Sequence, residues 1–593
     1  MCGIYTSLSK EDISSIDFLN SLSELEYRGY DSAGVTILDK NKKYKSYKTL
    51  SKIDDLKLKI SKGESSSLMI GHTRWATHGK PNIKNCHPHI IDNLSLVHNG
   101  VVENYDDLKK NKIFKNVQFK SETDTEMILR LIQIFYKSNT LVDAIKKTSK
   151  LIKGSNAFVC SNIDKGNDEL VAYKNNTPLY FGLKKNGEKV FSSDVNAMLV
   201  SLKGYYYLNN NDIIQITKKN AILYNDKKKK IVLTKIPNTK FKKAKVTSSS
   251  HTYSEIKEQR KIIPNYLKNF EKIYKVVSKI KKPNEINIIG CGSSYNAGLL
   301  AKAFLEKNSN IPTSVYRPSE FNFFLNNKNK LFIFISQSGE TADICSLIES
   351  KKEFFSNSLS LVNNDDSRLI RESRYNINLN VGLERGVAAT KTFSSQIMVL
   401  NIISKILSKD KKNNDLLLPS TNILNKLFSH EKEIIKLSKK YSKFRNLFVL
   451  GRNYNFPIAC EAALKIKEIS YIHAEGAPSS EIKHGPIALF DKKFPVIFLV
   501  SNKKETIHSE ISSLNEIISR TNNVFLIAPD TVVKKLDRKI LSKIDFIAVP
   551  DFQNDMAPIL YLIILQLFSY HLAKFKKLPI DQPRNLAKVV TVE

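Results

Sequence analysis

The sequence predicts a multidomain protein of α/β and α+β class: a strand-rich N-terminal unit over residues 1–240, then two doubly wound parallel sheets. Three observations carry this expectation. At 593 residues the chain holds about three or four compact units, at roughly 150 residues each. Up to about residue 240 the pattern is mostly strand-like, with helical periodicity near residues 13–26 and 123–137. From Glu285 onward, short apolar runs end in small-residue turns and lead into helices, and the whole alternation occurs twice.

Taken in order, Lys235 to Lys245 has few apolar residues and little periodicity, the signature of a linker. Residues 241–275 are read as linker and lead-in helix, with the helical pattern starting at Ile262. The first sheet, over residues 276–420, opens with Asn287-Ile288-Ile289, which ends in Gly290-Cys291-Gly292-Ser293-Ser294 before a helix through Phe304. Leu331 to Ile335 leads into Ser336-Gln337-Ser338-Gly339-Glu340-Thr341, then a helix over Ala342 to Lys351, and Leu359 to Val362 is the third strand. The second sheet, over residues 436–580, has Leu447 to Leu450 ending in Gly451-Arg452, then Pro495 to Val500, Val524 to Ala528 and Phe546 to Val549. Ala557 to Phe568 is too short to span a membrane, carries Gln566, and reads as a buried helix. Residues 581–593 form a tail.

Composition narrows the function classes. A hydrophobic content of 41% is ordinary for a globular protein. The six cysteines show no CxxC pair, which reads as free thiols in a reducing compartment and so a cytoplasmic location. No signal-peptide pattern is read, because Glu11 and Asp12 fall where an apolar region is required. The net charge of +35 invites a nucleic-acid partner. Yet the Lys are spread along the chain, and the runs Lys227 to Lys230 and Lys409 to Lys412 lie in hydrophilic stretches without aromatic interleaving. Neither nucleic acid nor membrane is expected as a partner.

The motifs supply the chemistry. Cys2 follows Met1, so removal of Met1 places a thiol and a free α-amine on one residue. The thiolate is the nucleophile, and an α-amine titrating near neutrality can serve as its base. A buried Cys opening a first strand accounts for the same residue. Three further segments follow: Gly71-His72-Thr73-Arg74-Trp75-Ala76-Thr77-His78-Gly79, Val97-His98-Asn99-Gly100, and Ser121-Glu122-Thr123-Asp124-Thr125-Glu126. The last also reads as a capping box built on Thr123 and Glu126, and Asn99-Gly100 as a hairpin turn. Together with Tyr27-Arg28-Gly29-Tyr30-Asp31-Ser32-Ala33-Gly34, these segments resemble the N-terminal-nucleophile glutamine amidotransferases.

That resemblance implies an αββα sandwich over residues 1–240 and assigns roles. Cys2 attacks the glutamine amide. Asn99 and the Gly100 N–H stabilise the oxyanion, as such an intermediate needs preorganised donors. Arg74 grips the glutamine carboxylate, for which a guanidinium fork is suited. Trp75 matches a gating position, Thr77 and His78 line the glutamine site, and Asp124 holds the ammonium.

The Ser336 to Thr341 turn gathers hydroxyls, a Gly and backbone N–H groups at a helix N-terminus, where the helix dipole favours an anion. An ordinary βα loop with a Ser cap explains it equally well, until Ser293-Ser294 is placed at the end of the neighbouring strand, the usual ligand crevice of such sheets. The second sheet has no equivalent turn: its strand runs into Ser501-Asn502-Lys503-Lys504, so only the first keeps a full anion cradle. The two sheets resemble paired sugar-isomerase domains, which bind phosphosugars.

Two more segments extend the resemblance to nearly the whole chain. Glu461, Lys465 and Glu468 share one helix face, a spacing equally common in surface ion pairs. The tail Asp581 to Glu593 reads alone as a frayed terminus. Taken with Glu481 to Pro486, the resemblance implies transfer of the amide nitrogen of L-glutamine to D-fructose 6-phosphate, giving D-glucosamine 6-phosphate and L-glutamate. It casts Glu468 as the enolisation base with Lys465 beside it, and Lys588 as the Schiff-base amine. It makes His484 the ring-opening group, donated across a homodimer. Ser294, Ser336, Gln337, Ser338, Thr341, Val387 and Ala587 become phosphosugar contacts, and ammonia passes through an enclosed channel. No metal or organic cofactor is implied. Ala389 departs from the usual Ser, Asn175-Asn176-Thr177-Pro178 from a Ser-Gly-Ser-Pro loop, and Gly476-Ala477-Pro478 from the usual stretch before His484. Related amidotransferases acting on phosphoribosyl pyrophosphate are disfavoured, because a Ser-Gly-Gly-x-Asp-Ser loop is missing. A phosphosugar sensor with a dead glutaminase would not need Glu468.

Overall fold

The computed structural model describes residues 2–61, 63–75, 79–115, 117–164, 168–225, 231–234, 250–323, 329–408, 417–501, 503–552 and 554–590. The expected linker over Lys235 to Lys245 and both Lys-rich runs lie outside these residues. The chain divides into two units, Met1–Lys243 with Val589–Glu593, and Ala244–Lys588.

The first unit is built on two antiparallel sheets. The seven-stranded sheet runs in the order Leu202–Tyr207, Tyr180–Lys184, Lys189–Ser192, Gly3–Ser14, Ser65–Arg74, Ser32–Leu38, Tyr44–Thr49. The six-stranded sheet runs Ala221–Tyr224, Ile213–Thr217, Glu169–Asn175, Asn156–Asn162, Leu94–Gly100, His89–Ile91. Successive side chains on a strand point to opposite faces, and here both faces are covered. Ile4, Leu8, Leu68 and Ile70 join Ala157 and Val159 in the core between the sheets. Tyr5 and Met69 face outward against Phe18 and Leu22 of the helix Ser15–Ser23. Phe158 and Cys160 face the opposite way, toward the helices Asp124–Tyr136 and Leu141–Leu151. The result is the expected αββα sandwich. Helix Leu141–Leu151 adds to the two helices legible in sequence.

The second unit holds two five-stranded parallel sheets. One runs Thr313–Tyr316, Glu285–Gly290, Lys330–Ile335, Ser358–Val362, Tyr375–Asn378. The other runs His473–Pro478, Asn446–Gly451, Pro495–Leu499, Asn523–Pro529, Asp545–Val549. Both have the strand order 2-1-3-4-5, with the topological switch between the first and third strands. In the first sheet that places the turns after Gly290 and Ile335 side by side, since Gly290 pairs with Ile335. Ile286, Ile288, Leu331 and Ile333 point into one large core shared with the second sheet, while Ile289, Phe332 and Phe334 face a separate outer layer.

Three strands escape the sequence pattern: Thr313–Tyr316, Tyr375–Asn378 and His473–Pro478. All lie at sheet edges and are partly exposed, so they lack a continuous apolar run. The lead-in helix spans His251–Asn265 and begins well before Ile262. The expected buried helix spans Pro558–Phe575; it is the one helix among the described residues long and apolar enough to cross a membrane, and 89% of it is buried.

Candidate active sites

In the first unit Cys2 lies just ahead of the strand Gly3–Ser14, beside the end of Ser65–Arg74. Its thiol donates to Trp75 O at 3.4 Å, and Trp75 N–H donates back to Sγ at 3.3 Å. Arg28 Nε–H donates to Cys2 O at 3.3 Å, with Arg28 in turn 3.7 Å from Asp194. Burial raises the Cys2 thiol above its ordinary pKa, against the lowering pull of nearby positive charge, including Arg74. A Cβ at Gly3 would come within 2.6 Å of Thr73 Oγ1, so only Gly fits beside the Cys.

Asn99 is fully buried and its orientation follows from its partners. His72 Nε2 lies 3.0 Å from His98 O and 3.2 Å from Asn99 Oδ1. A carbonyl can only accept, so His72 Nε2 carries the hydrogen and Asn99 turns its Oδ1 toward it. Burial lowers the His72 pKa to about 3, which keeps the ring neutral. The Asn99 amide nitrogen then faces away and donates to Ser193 Oγ at 2.7 Å, which also receives Ile4 N–H at 2.9 Å. Asn99-Gly100 is therefore no hairpin turn: it ends the strand Leu94–Gly100, paired to Asn156–Asn162. Gly100 has φ 132°, and a Cβ there would sit 1.9 Å from Ser155 O, so no other residue is accommodated.

Asp124 opens the helix Asp124–Tyr136 and is buried, its Oδ2 accepting Val102 N–H at 3.0 Å. The capping box is half-formed. Thr123 Oγ1 accepts Glu126 N–H at 3.3 Å, but the Glu126 carboxylate takes the N–H groups of Lys120 and Ser121 in place of that of Thr123. Arg74 is buried and donates to Gly79 O at 3.2 Å. Thr77 and His78 lie outside the described residues.

In the second unit the Ser336 hydroxyl is 2.8 Å from Thr341 Oγ1 and 3.4 Å from Ser338 Oγ. Gly339 N–H donates to Ser336 Oγ at 2.9 Å and Glu340 N–H to Ser338 Oγ at 3.2 Å. Gly339 has φ 66°, and a Cβ there would lie 2.1 Å from Ser367 Oγ. Three hydroxyls thus converge at the start of the helix Ala342–Ser350. Ser294 accepts from Gln396 Nε2 at 3.1 Å. The Oε1 atoms of Gln337 and Gln396 are buried with no hydrogen-bond partner among the described residues.

The helix Asn455–Ser470 carries Glu461, Lys465 and Glu468, and this set is not on the surface. Glu461 and Lys465 are 0% and 2% exposed. Lys465 Nζ is 2.5 Å from Glu468, 3.4 Å from Glu461 and 3.0 Å from Ser293 Oγ. Burial alone would lower the Lys465 pKa, but the flanking carboxylates outweigh it and raise it. Burial raises the Glu461 pKa despite Lys465.

From Asp581 to Lys588 the tail is anchored rather than frayed. The Asp581 carboxylate accepts Ser250 Oγ–H, His251 N–H and Thr252 N–H at 2.8–2.9 Å, capping the helix His251–Asn265. Its carbonyl accepts Val387 N–H at 3.1 Å. Ala587 is half-buried and precedes Lys588, whose Nζ lies 2.5 Å from Glu384 Oε2. Glu384 also accepts Thr390 N–H, Thr392 N–H and Thr392 Oγ1–H at 2.6–3.1 Å. Burial would raise its pKa, but Lys588 and these donors hold it well below the ordinary range. Glu255, alongside, is raised by burial and then by the charge of Glu384. His484 stands apart, exposed at the end of the short turn Glu481–His484.

Sequence reasoning missed Glu384, Glu255, Gln396 and the role of His72. Glu384 lies five residues before Ala389, but nothing local marks it as a partner of a Lys 204 positions away.

A two-sheet amidotransferase unit followed by paired phosphosugar-type sheets defines a glutamine-dependent amidotransferase joined to sugar-isomerase domains. The Glutamine amidotransferase domain family matches residues 83–200, and the SIS domain family matches residues 279–404 and 440–574. The chain is 38% identical over 606 residues to "Glutamine--fructose-6-phosphate aminotransferase [isomerizing]" of Aquifex aeolicus, and 37% identical over 623 residues to the protein of that name from Francisella tularensis; each alignment covers 100% of both chains. The solved C-terminal domain of glucosamine-fructose-6-phosphate aminotransferase from Francisella tularensis superposes with a TM-score of 0.52 and 32% identity, covering 57% of this chain and 100% of that one. The chain belongs to the glutamine–fructose-6-phosphate aminotransferase (isomerising) family.

Proposed function

We propose that this chain converts L-glutamine and D-fructose 6-phosphate to L-glutamate and D-glucosamine 6-phosphate. The observation that carries the reading is that a chain matching that family end to end holds the residue types the chemistry needs: Cys2 and Asn99 in the first unit, and Ser336, Lys465, Glu468 and Lys588 in the second.

In the first site Cys2 Sγ attacks the glutamine amide carbon. Asn99 Nδ2, aimed by His72, and the Gly100 N–H hold the oxyanion. Ammonia leaves, and water hydrolyses the thioester to glutamate. Arg74 and Asp124 grip the α-carboxylate and α-ammonium, and Thr77 and His78 complete the pocket. Near neutral pH most free ammonia in water is protonated and unreactive, so the reading includes its enclosed transfer to the sugar site, with Trp75 as the gate.

In the second site Ser294, Ser336, Gln337, Ser338 and Thr341 hold the phosphate end, with Val387 and Ala587 against the sugar. His484 of a neighbouring copy opens the ring. Lys588 forms an imine at C2, which ammonia displaces. Glu468 takes a proton from C1 and returns it to C2, giving the amino aldose. Lys465 neutralises the base between turnovers. The reading carries a homodimer and a cytoplasmic location; the exposed position of His484 supports donation to a partner copy.

The test uses purified protein with both substrates, scored for glucosamine 6-phosphate. Cys2→Ala is expected to lose glutamine-dependent synthesis and keep ammonia-dependent synthesis. Undiminished glutamine-dependent product from that variant would refute the nucleophile assignment.

A further inference from the structure

Contrary to the expectation that the second sheet has no equivalent turn, its Ser501 and Thr506 repeat the arrangement of the first cradle, and a carboxylate fills it. Ser336 and Thr341 are five residues apart, and Thr341 stands at the N-cap position of the helix Ala342–Ser350. Ser501 and Thr506 are also five apart, and Thr506 stands at the N-cap position of the helix Ile507–Ile518. The Ser501 and Thr506 hydroxyls face each other at 3.4 Å, as Ser336 and Thr341 do at 2.8 Å. Both turns follow the third strand of a 2-1-3-4-5 sheet.

One carboxylate separates the two turns. Glu510 is 1% exposed and lies within the second cradle. It accepts Ser501 N–H at 2.7 Å, Ser501 Oγ–H at 2.9 Å and Thr506 Oγ1–H at 2.7 Å. A backbone N–H and two hydroxyls donating to one buried anion are the contacts a phosphate oxygen would receive there. Side chains on a helix lean toward its N-terminus, so the residue four after the cap reaches back over the turn. Glu510 N–H donates to Thr506 O at 2.9 Å, and the same register in the first copy joins Cys345 N–H to Thr341 O at 3.1 Å. Cys345 is buried, short and uncharged, and its Sγ reaches only to 4.0 Å from Gly339 O.

We propose that Glu510 is a built-in anion that closes the second cradle, and that the residue four after the capping Thr decides which copy takes a phosphosugar: Cys345 leaves the first open and Glu510 seals the second. The chain then binds one phosphosugar, not two. This rests on reading the first cradle as the phosphosugar site.

The experiment measures fructose 6-phosphate binding by calorimetry on the full-length protein, with circular dichroism and limited proteolysis of the second unit as the check on folding. The wild type is expected to bind one per chain. Cys345→Glu, which places a carboxylate as Glu510 places it, is expected to weaken binding by about ten- to a hundredfold, and Cys345→Gln by less. Glu510→Ala is expected to be less heat-stable than the wild type and to recover more on addition of inorganic phosphate. Two sites per wild-type chain, or unchanged affinity in Cys345→Glu while Ser336→Ala weakens binding, would overturn the inference alone. Unchanged affinity in both variants would also overturn the cradle reading. Should Glu510→Ala fail to fold, the Cys345 pair still decides.

Discussion

Replacing Glu384 with Gln removes one charge from the interior of the second unit and leaves the shape. Lys588 Nζ lies 2.5 Å from Glu384 Oε2, and their side chains are 2% and 0% exposed, so water cannot stand in for the lost partner. Removing one member of a buried ion pair costs about 3–5 kcal/mol, because the other charge is left uncompensated. That cost has a ceiling, since Lys588 sits on a tail that can undock. Upstream, the tail is held by the Asp581 cap and by Arg584 N–H on the Tyr471 hydroxyl at 2.7 Å. Either response takes the amine out of position. At about 1.4 kcal/mol per decade, synthesis should fall by roughly 10² to 10³, with glutamine or ammonia as nitrogen source. Glutamine hydrolysis, carried out in the other unit, should stay unchanged. The assay is product formation with each nitrogen source, alongside limited proteolysis of the tail. Wild-type synthesis by Glu384→Gln with a protected tail would show that the pair is not what holds Lys588, and the reasoning would fail.

Three further outcomes follow from the geometry. His72→Phe keeps a ring but loses the Nε2–H that turns Asn99, so glutamine hydrolysis should drop by about 10²–10³, the scale of losing one oxyanion donor; ammonia-dependent synthesis should persist, and intact hydrolysis would remove His72 from the account. Glu255 has a folded pKa above its reference value of 4.5, so its stabilising contribution is present below that value and is lost as pH rises toward the folded one. Glu255→Gln stays neutral, so its melting temperature relative to wild type should improve from about pH 5 to about pH 9; a gap that ignores pH would contradict the assignment. Lys588→Arg keeps the charge but cannot form an imine; borohydride with fructose 6-phosphate should trap an adduct on the wild type only, and full synthesis by the variant would reduce Lys588 to an electrostatic role.

Much of the fold was legible because it is written locally. The strands Glu285–Gly290 and Lys330–Ile335 at the centre of the first sheet of the second unit are apolar runs buried on both faces, and each ends in residues that only a tight turn before a helix explains, Gly290 to Ser294 and Ser336 to Thr341. The edge strands were not legible: Tyr375–Asn378 is Tyr-Asn-Ile-Asn, and only pairing with Ser358–Val362 makes it a strand. The same limit applies to the helix face of Glu461, Lys465 and Glu468. Spacing put them together, but a surface ion-pair set has the same spacing, and burial alone separates the two.

Sequence by itself determined the order of the units, the resemblance that names the chemistry, and the small-residue turns that close a strand before a helix, such as Gly290 to Ser294. These are properties of neighbours in the chain, where steric limits and apolar periodicity act over a few residues. Tertiary structure decided what each charged or polar group faces. It set Glu384 against Lys588, turned Asn99 through His72, and placed Glu510 over Ser501 and Thr506. Those pairings join residues on different elements or on facing ends of one turn. Their strength comes from removal of water, which depends on what the whole fold packs around them.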